Sequence, residues 1–470
     1  MSRQRTQGRV RRQVQRLLQC NCGVGVCQLL SKEQVRAAVE AEGYCFRQCL
    51  FTPLVILWTF LLQVLSRDGS CREAVSKLVA FLAGQGQGSA LEPDTGPYCK
   101  ARKKLPEALL ARLTRESGRQ LHRDCGTAPV LGGRPIKIVD GTTASMPDTP
   151  ENQAQYPQPT NQKPGLGFPL VRLVVVLSLN CAAVLDLAMG PYAGKRTGEP
   201  ALFRSLSESV EAGDIVLADR YYASYWTIAG LLQRGVDSLF RQFHRRKIDF
   251  RQGTKLGKDD HVITVPKPSK PPEWMDAASY RQTPAELTVR EIRVRVEQRG
   301  FRVRTLVLVT TLLDAELYSR RELAEVFRLR WHAELDLRAI KQTMNLSVLR
   351  CKTPEMVRKE IWMHLLAYNL VRTLMARAAE RAGLEPRQIS FAGAVQTINA
   401  MVPVLRAAGR AQAIGLIDVM LYAISRHRVS DRPNRVEPRA VKRRAKPIAW
   451  LTEPRDQARR RLQGHVHTKG

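Results

Sequence analysis

The hydrophobic positions of the first 130 residues recur at helical spacing. Ser31 opens one such segment in the manner of a helix cap, and another lies at Ser70–Ala83. Between them the uncharged run Gln48–Ser66 contains Pro53 and ends in polar residues, which favours a buried helix after a turn over a membrane span. Residues 1–130 are therefore predicted to form a helical N-terminal region.

From Pro135 the spacing of apolar positions changes to that of β-strands. Three apolar, β-branched runs come first, a helical pattern follows, and a fourth apolar run ends the segment. Three antiparallel strands, a helix and a further strand predict a mixed α/β sheet with helices on its faces. In chain order these elements are Ile136–Val139, Leu170–Leu179, Ala182–Ala188, the helix Gly198–Glu211 and the strand Asp214–Ala218.

A second group of β signals lies between residues 237 and 313. Leu287–Val296 and Phe301–Val309 alternate apolar and polar residues, with Gln298–Gly300 as the turn between them. The middle portion, Lys255–Pro272, is rich in Gly, Pro and Lys and is predicted to be a loop. This pattern predicts a β-rich insertion that interrupts the α/β core.

Helical spacing returns after residue 314. The helical segments are Phe327–Lys341, Pro354–Arg381, Phe391–Leu405 and Ala411–Ile424. The predicted organisation is thus a core in two parts that flank the insertion, a helical C-terminal region, and a basic tail that we expect to be an extended arm. The boundaries are 131–236 and 314–385 for the core, 237–313 for the insertion, 386–425 for the helical region and 426–470 for the tail.

The chain is strongly basic, which indicates its partner. It contains 75 Lys and Arg against 43 Asp and Glu, a formal net charge of +32. Nucleic acid is the polyanion whose phosphates dominate the affinity of such proteins. An anionic membrane would require a basic amphipathic anchor or a spanning segment, and the sequence predicts neither. We therefore expect DNA as the partner, bound in part by residues 1–130, and no membrane association.

Two further features bear on location. The ten cysteines are scattered along the chain, which suits a reducing compartment better than a disulfide framework. The apolar run near Pro53 lies too far from Met1 to be a signal peptide. We predict a cytoplasmic protein associated with the nucleoid.

One helical stripe carries both signs of charge. At about 100° per residue, Phe327, Arg330, Glu334 and Lys341 fall within an arc of about 60°. A carboxylate flanked by cations is what a site needs to hold a divalent metal beside phosphates. The alternative is an amphipathic helix with ordinary charge pairs four residues apart.

Two other carboxylates stand at the ends of predicted buried strands. Asp140 ends the first strand and Asp219 ends the fourth, and strand ends are where a rigid scaffold presents polar groups. With Glu334 they could hold two Mg²⁺ or Mn²⁺ ions about 4 Å apart for an in-line phosphoryl displacement. In that arrangement Arg330 and Lys341 would hold the phosphate backbone.

These motifs carry a family resemblance. D-G-T at Asp140, D-R-Y at Asp219, and R-W-x-x-E with a lysine seven residues beyond the glutamate resemble a bacterial insertion-sequence DDE transposase. More narrowly, they resemble the group with the Y-x2-R-x3-E-x6-K signature, the insertion-sequence family numbered four. The resemblance covers most of the chain and implies an α/β, ribonuclease-H-like mixed-sheet core interrupted by the β-rich insertion, with helical N-terminal and C-terminal regions.

The resemblance also implies roles for residues. Asp140, Asp219 and Glu334 match the catalytic, metal-binding triad for two Mg²⁺ or Mn²⁺ ions. The residues expected to contact DNA are Arg330, Lys341, Phe327 and Arg220. Synapsis of two DNA ends implies a homodimer.

The signature has one departure and one competing register. Its Tyr position is Phe327, which keeps a stacking surface but lacks the hydroxyl that could bond a phosphate. Tyr318, Arg321 and Glu325 also fit Y-x2-R-x3-E, although His332 would then occupy the Lys position. We favour Glu334 because only its register retains the lysine.

The resulting functional hypothesis is a transposase that binds the terminal inverted repeats of its element. It would cleave DNA by two-metal-ion phosphodiester hydrolysis and join the freed 3′-hydroxyls to target DNA. Two alternatives are a ribonuclease-H-like DNA nuclease without strand transfer, and an inactive DNA-binding transposase remnant, which Phe327 motivates.

Overall fold

The computed structural model describes residues 29–47, 49–84, 93–243, 246, 248–295, 305–430 and 449–466. Its helices are α1 (Lys32–Ala41), α2 (Pro53–Leu65), α3 (Cys71–Gly84), α4 (Gly96–Lys104), α5 (Glu107–Asp124), α6 (Pro150–Gln155), α7 (Glu199–Arg204), α8 (Tyr225–Leu232), α9 (Ala277–Gln282), α10 (Arg320–Leu329), α11 (Trp331–Arg338), α12 (Pro354–Arg381), α13 (Phe391–Ala407), α14 (Arg410–Arg426) and α15 (Arg455–Val466). Its strands are β1 (Ile136–Ser145), β2 (Leu170–Ser178), β3 (Val184–Pro191), β4 (Ile215–Ala218), β5 (Asp237–Arg241), β6 (Thr254–Gly257), β7 (Asp260–Pro266), β8 (Glu286–Arg295) and β9 (Thr305–Thr310).

The nine strands form one sheet in the order β3-β2-β1-β4-β5-β9-β8-β7-β6. Strands β1, β2 and β3 are antiparallel neighbours, and β4 and β5 continue from β1 in parallel. The first five strands thus have the ribonuclease-H-like order, with helices packed against the sheet, which confirms the predicted fold class. The apolar run of β2 is buried on both faces because its alternate side chains pack into two hydrophobic clusters, one on each side of the sheet.

The insertion is continuous with the core sheet. Strand β9 pairs antiparallel with β5, so β6 to β9 extend the sheet and cover what would otherwise be an open edge. Strand β5 begins at residue 237, where the insertion was predicted to start, but it pairs in parallel with β4 and belongs to the core sheet. The predicted turn Gln298–Gly300 lies outside the described residues.

One predicted loop is instead a pair of strands. Lys255–Pro272 was expected to be irregular, but β6 and β7 occupy much of it and pair antiparallel with each other. All four residues of β6 are exposed. The hydrophobic pattern did not predict this strand because hydrogen bonding to β7, rather than burial, holds it in place.

The segment predicted as one helix from Phe327 to Lys341 has three parts. At Arg330 the helix tightens, with N–H groups bonded to carbonyls three residues earlier, and α11 begins immediately afterwards. Ala339–Thr343 then forms a π-helical turn. Short π-helical turns are rare and are often found at functional sites, since they change the direction of nearby side chains.

Helix α12 passes through the core and joins the N-terminal helices to the sheet. Asn369 is fully buried; it accepts a hydrogen bond from the Val184 amide of β3 and donates to the carbonyls of Val184 and Thr114. Gly118 of α5 allows this approach, because a Cβ there would lie 2.0 Å from the Val184 carbonyl oxygen. The described N-terminal residues are helical, as predicted; residues 1–28 lie outside the described part.

Two expectations about the rest of the chain can be compared with the structure. The apolar run near Pro53 forms α2, a 13-residue helix that is mostly buried. In the described ranges no helix is long and apolar enough to cross a membrane. The tail was expected to be extended, but Arg455–Val466, a stretch without proline, forms the helix α15; residues 431–448 are outside the described part.

The buried His364 of α12 makes stability depend on pH. Burial lowers the pKa of His364 to about 3, from an ordinary value of 6.5, and its Nδ1 has no hydrogen-bond partner in the described structure. The unfolded chain therefore takes up a proton that the folded chain excludes. The contribution of His364 to the free energy of unfolding is complete above pH 6.5 and is lost as the pH falls towards 3.

We expect the decrease in unfolding free energy between pH 7.5 and pH 4.5 to be smaller in His364→Leu than in the wild type. Urea denaturation at the two pH values measures this decrease. The exposed His427 provides the control, since His427→Leu should behave as the wild type does. Equal decreases in His364→Leu and the wild type would contradict the prediction.

Candidate active site

The pairing of two parallel strands places two aspartates side by side. Strands β1 and β4 are neighbours, with Val139 opposite Ala218, and Asp140 and Asp219 are the next residues of each strand. Strand β4 ends at this point, whereas β1 continues to Ser145 beside β2. A gap therefore opens beside β1 at the carboxyl end of β4, and the carboxyl ends of parallel strands are the usual place for a site in an α/β sheet.

Helix α11 borders this gap and contributes the third carboxylate. The resulting cleft has a volume of about 510 Å³. Its lining residues are Asp140, Gly141, Thr142, Asp219, Arg330, Glu334, Leu337, Arg338, Lys341, Gln342 and Ser347. The structure thus brings together the three carboxylates, the arginine and the lysine that were selected from the sequence.

Arg330 connects two of the carboxylates. Its Nη1 lies 3.5 Å from Oδ2 of Asp140, and its Nη2 lies 3.1 Å from Oε1 of Glu334. The side chains of Arg330 and Asp140 are 16% and 17% exposed, so water screens this contact only in part. Arg330 therefore neutralises part of the negative charge of the cleft in the DNA-free protein.

Arg330 offsets only part of the cost of a negative charge on Asp140. The pKa of Asp140 is raised to about 6, mainly by burial and in smaller part by the charges of Glu199 and Glu334, while Arg330 and the Gly141 amide oppose the shift. Burial also lowers the pKa of Lys341, whose ammonium has no hydrogen-bond or ion-pair partner among the described residues. The cleft is therefore lined by three carboxylates and by a lysine without an anion.

The donor set of the cleft is suited to a divalent cation. Carboxylate oxygens are the ligands that Mg²⁺ and Mn²⁺ prefer, and the raised pKa of Asp140 indicates a need for positive charge. In the observed arrangement, however, no three His, Cys, Asp or Glu side chains of the described structure are close enough to hold one ion. In this arrangement the guanidinium of Arg330, rather than a metal ion, contacts both Asp140 and Glu334.

More than half of the chain matches a known protein family. A family model described as transposase DDE domain matches residues 131–370, just over half of the chain. The chain is a member of the DDE transposase family. The resemblance predicted from the motifs is thereby confirmed.

Related proteins agree with this membership. The transposase InsG of insertion sequence element IS4 from Escherichia coli K12 is 28% identical over 431 residues, 89% of this chain and 91% of that protein. The transposase of element IS421 from Escherichia coli is 38% identical over 65 residues, 14% of this chain and 18% of the relative. Among solved structures, a piggyBac transposase synaptic complex with hairpin DNA has a TM-score of 0.41 at 9% identity, covering 83% of this chain and 81% of that one.

Two residues expected to contact DNA lie outside the cleft of this DDE transposase. Phe327 is 8% exposed and packs in the hydrophobic core, so its ring is not available to stack on DNA in this conformation. The guanidinium of Arg220 lies over the Tyr221 ring at 5.2 Å, and its Nε is buried without a hydrogen-bond partner in the described structure. Helical spacing alone could not distinguish the core side of α10 from the cleft side of α11.

The competing register of the signature lies elsewhere. Glu325 is exposed and pairs with Arg321 at 2.9 Å, and neither residue lines the cleft. Tyr318 is buried, and its hydroxyl accepts a hydrogen bond from Arg134. Of the two candidate glutamates, the structure thus places only Glu334 beside Asp140.

A buried ion network, which no sequence pattern predicted, anchors the glutamate helix. Asp336, two residues after Glu334, is 2% exposed and accepts hydrogen bonds from Arg372 at 2.7 Å and Arg387 at 3.1 Å. Arg387 also donates to the carbonyls of Leu179 and Ser178, at the end of β2. The available signal was Arg372, a charged residue in the mostly apolar middle of α12.

A second anchor follows the π-helical turn. The amide and hydroxyl of Ser145, at the end of β1, donate to the Ser347 carbonyl at 3.0 Å and 3.1 Å. The Leu349 amide then donates to the Ser145 carbonyl at 2.8 Å. The segment that carries Glu334 and Lys341 is therefore fastened to the same strand that carries Asp140.

Removal of the buried charge at Asp336 should destabilise the protein. In Asp336→Asn, Arg372 and Arg387 lose their shared carboxylate, and we expect the free energy of unfolding to fall by about 3 to 5 kcal/mol. Urea denaturation measures the change. Glu325→Gln breaks the exposed pair with Arg321 and serves as the matched control, for which we expect no measurable change. Equal effects of the two substitutions would contradict the buried network.

Proposed function

We propose that this DDE transposase moves an insertion sequence. In this proposal it binds the terminal inverted repeats, cleaves the DNA at the element ends, and joins the freed 3′-hydroxyls to target DNA. The convergence of Asp140, Asp219 and Glu334 with Lys341 in one cleft carries the proposal. The net charge of +32 supports DNA as the substrate.

Asp140, Asp219 and Glu334 would hold two Mg²⁺ or Mn²⁺ ions, which supply an activated oxygen nucleophile and stabilise the leaving oxygen. Lys341 and Arg330 would bind DNA phosphates rather than the metal ions. Lys341 is partly buried without an anion, so a DNA phosphate in the cleft would give its ammonium a partner. Arg330 already binds two carboxylates, and a phosphate would offer its guanidinium a competing acceptor.

The same cleft would serve cleavage and joining. Both reactions place an oxygen nucleophile in line with a phosphodiester, water in the first and a DNA 3′-hydroxyl in the second, so the same groups can act in turn. Because joining two ends requires both to be held together, we propose that a homodimer forms on the DNA.

The structure weakens one reason to regard the protein as an inactive remnant. That reading was motivated by the missing hydroxyl at Phe327, but the ring lies in the core and does not face the cleft. The loss of a hydroxyl there removes nothing from the observed site. A nuclease without strand transfer differs from a transposase in its products, which the following experiment resolves.

Neutralising the triad should abolish cleavage. Asp219→Asn and Glu334→Gln each remove a charged cation ligand, so we expect about 100-fold or greater loss of cleavage and joining. The assay uses labelled element ends, a target plasmid, and Mg²⁺ with or without EDTA, with products resolved on a gel. EDTA should abolish both reactions in the wild type.

Glu325→Gln is the matched control, since it changes an exposed glutamate of the same region and should retain activity. Full activity in Glu334→Gln with loss in Glu325→Gln would transfer the role to Glu325. Cleavage without joined products would indicate a nuclease. Binding without Mg²⁺-dependent cleavage would indicate an inactive remnant.

Lys341 should contribute one phosphate contact. In Lys341→Gln we expect weaker binding of element ends, and a slope of log affinity against log salt that is shallower by about one. Fluorescence anisotropy over a salt series measures both. Lys352→Gln, an exposed lysine outside the cleft lining, is the control. An unchanged slope in Lys341→Gln would remove Lys341 from the DNA contact.

A further inference from the structure

A fourth carboxylate lies directly behind the cleft. Glu199, the first residue of α7, does not line the cleft and belongs to no motif selected from the sequence. A Cβ at Gly141 would lie 2.3 Å from the Glu199 carboxyl carbon and 2.4 Å from its Oε1. The carboxylate of Glu199 is therefore in contact with the backbone of the residue that follows Asp140.

This contact explains the glycine of the D-G-T motif. Gly141 lies within β1 and does not have the positive φ that would require glycine for its backbone conformation. Glycine is needed at position 141 because any side chain there would collide with Glu199. The motif and the distant glutamate are thus two parts of one packing arrangement.

The other oxygen of Glu199 reaches the second aspartate segment. The Tyr222 hydroxyl donates to Oε2 of Glu199 at 3.4 Å, and Tyr222 lies in the short turn that follows Asp219. Tyr222 is fully buried and packs edge-to-face on Phe203 of α7, with ring centroids 5.7 Å apart. One carboxylate therefore bridges the segments that carry Asp140 and Asp219.

Glu199 also interacts electrostatically with the aspartates. Burial raises the pKa of Glu199, Asp219 raises it further, and Arg172 and the Tyr222 hydroxyl oppose the shift. Glu199 in turn raises the pKa of Asp140. In the described structure no cation lies within ion-pair distance of Glu199, so its field adds to the negative potential of the cleft.

We propose that Glu199 is a positioning residue that holds Asp140 and Asp219 in register and strengthens the binding of a divalent cation between them. The inference rests on the proposed function, since it assumes that the aspartates bind such a cation. Glu199 acts through its contact with Gly141, its bond to Tyr222 and its charge.

The test measures binding of Mn²⁺ alone to the full-length protein by electron paramagnetic resonance. Glu199→Gln keeps the shape and a hydrogen-bond acceptor for Tyr222 but removes the charge, so we expect about tenfold weaker Mn²⁺ binding. Glu199→Asp keeps the negative charge on a side chain that is one methylene shorter, so the charge lies further from the aspartates. This variant should bind Mn²⁺ more tightly than Glu199→Gln. Glu208→Gln, an exposed glutamate nearby, should bind as the wild type does.

A purely structural role would lower the melting temperature and leave Mn²⁺ affinity unchanged. Wild-type affinity in Glu199→Gln, or equal affinities in Glu199→Gln and Glu199→Asp, would overturn the proposal. If Glu199→Gln does not fold, Gly141→Ala tests the same contact, because its methyl group displaces the carboxylate without removing it. Weaker Mn²⁺ binding in that variant supports the proposal, and wild-type affinity overturns it.

The Mn²⁺ measurements distinguish a failure of the proposed role of Glu199 from a failure of the proposed function. Wild-type protein that binds no Mn²⁺, or binds it equally in Asp140→Asn, would remove the cation site itself. Mn²⁺ binding that depends on Asp140 but is unaffected at Glu199 would remove only the role of Glu199.

Discussion

The central constraint in this molecule is the cost of holding several carboxylates together in a partly buried cleft. Like charges in a medium less polar than water repel one another strongly, so such a cluster persists only where the surrounding structure fixes it. The pKa of Asp140 stays raised although Arg330 compensates part of the cost, mainly because burial disfavours the charged carboxylate and in smaller part because Glu199 and Glu334 repel it. A divalent cation, or the cations that accompany DNA, would supply the positive charge that the cleft lacks.

The rest of the fold supplies the rigidity that the cleft requires. Strand pairing fixes the two aspartates with respect to each other, and the buried network around Asp336 fixes the glutamate helix to α12 and to the end of β2. Asn369 ties the same α12 to β3 and to the N-terminal helices. A displacement of the helical regions would therefore reach the cleft through a short chain of buried polar contacts.

The charges outside the cleft have a different role from those inside it. Exposed pairs such as Arg321–Glu325 are screened by water and contribute little to stability, whereas the excess of cations over the whole chain creates a positive field that, in the proposed function, would attract DNA from a distance. Inside the cleft, Arg330 and Lys341 act over short distances where screening is weak. The long-range field would bring DNA to the surface, and the cleft cations would place one phosphodiester beside the carboxylates.

Local patterns in the sequence determined the β1–β4 elements, the buried α2, and the helical nature of the flanking regions, because periodicity and turn residues act over a few positions. The motif spacing also selected Asp140, Asp219, Arg330, Glu334 and Lys341, since the proposed chemistry requires those residue types. Only the tertiary structure decided that Phe327 is a core residue, that Glu325 points away, and that exposed β6 is a strand. The contacts of Glu199 with Gly141 and of Asp336 with Arg372 and Arg387 also appeared only there, because these partners are separated by tens of residues and meet only when the sheet and helices pack.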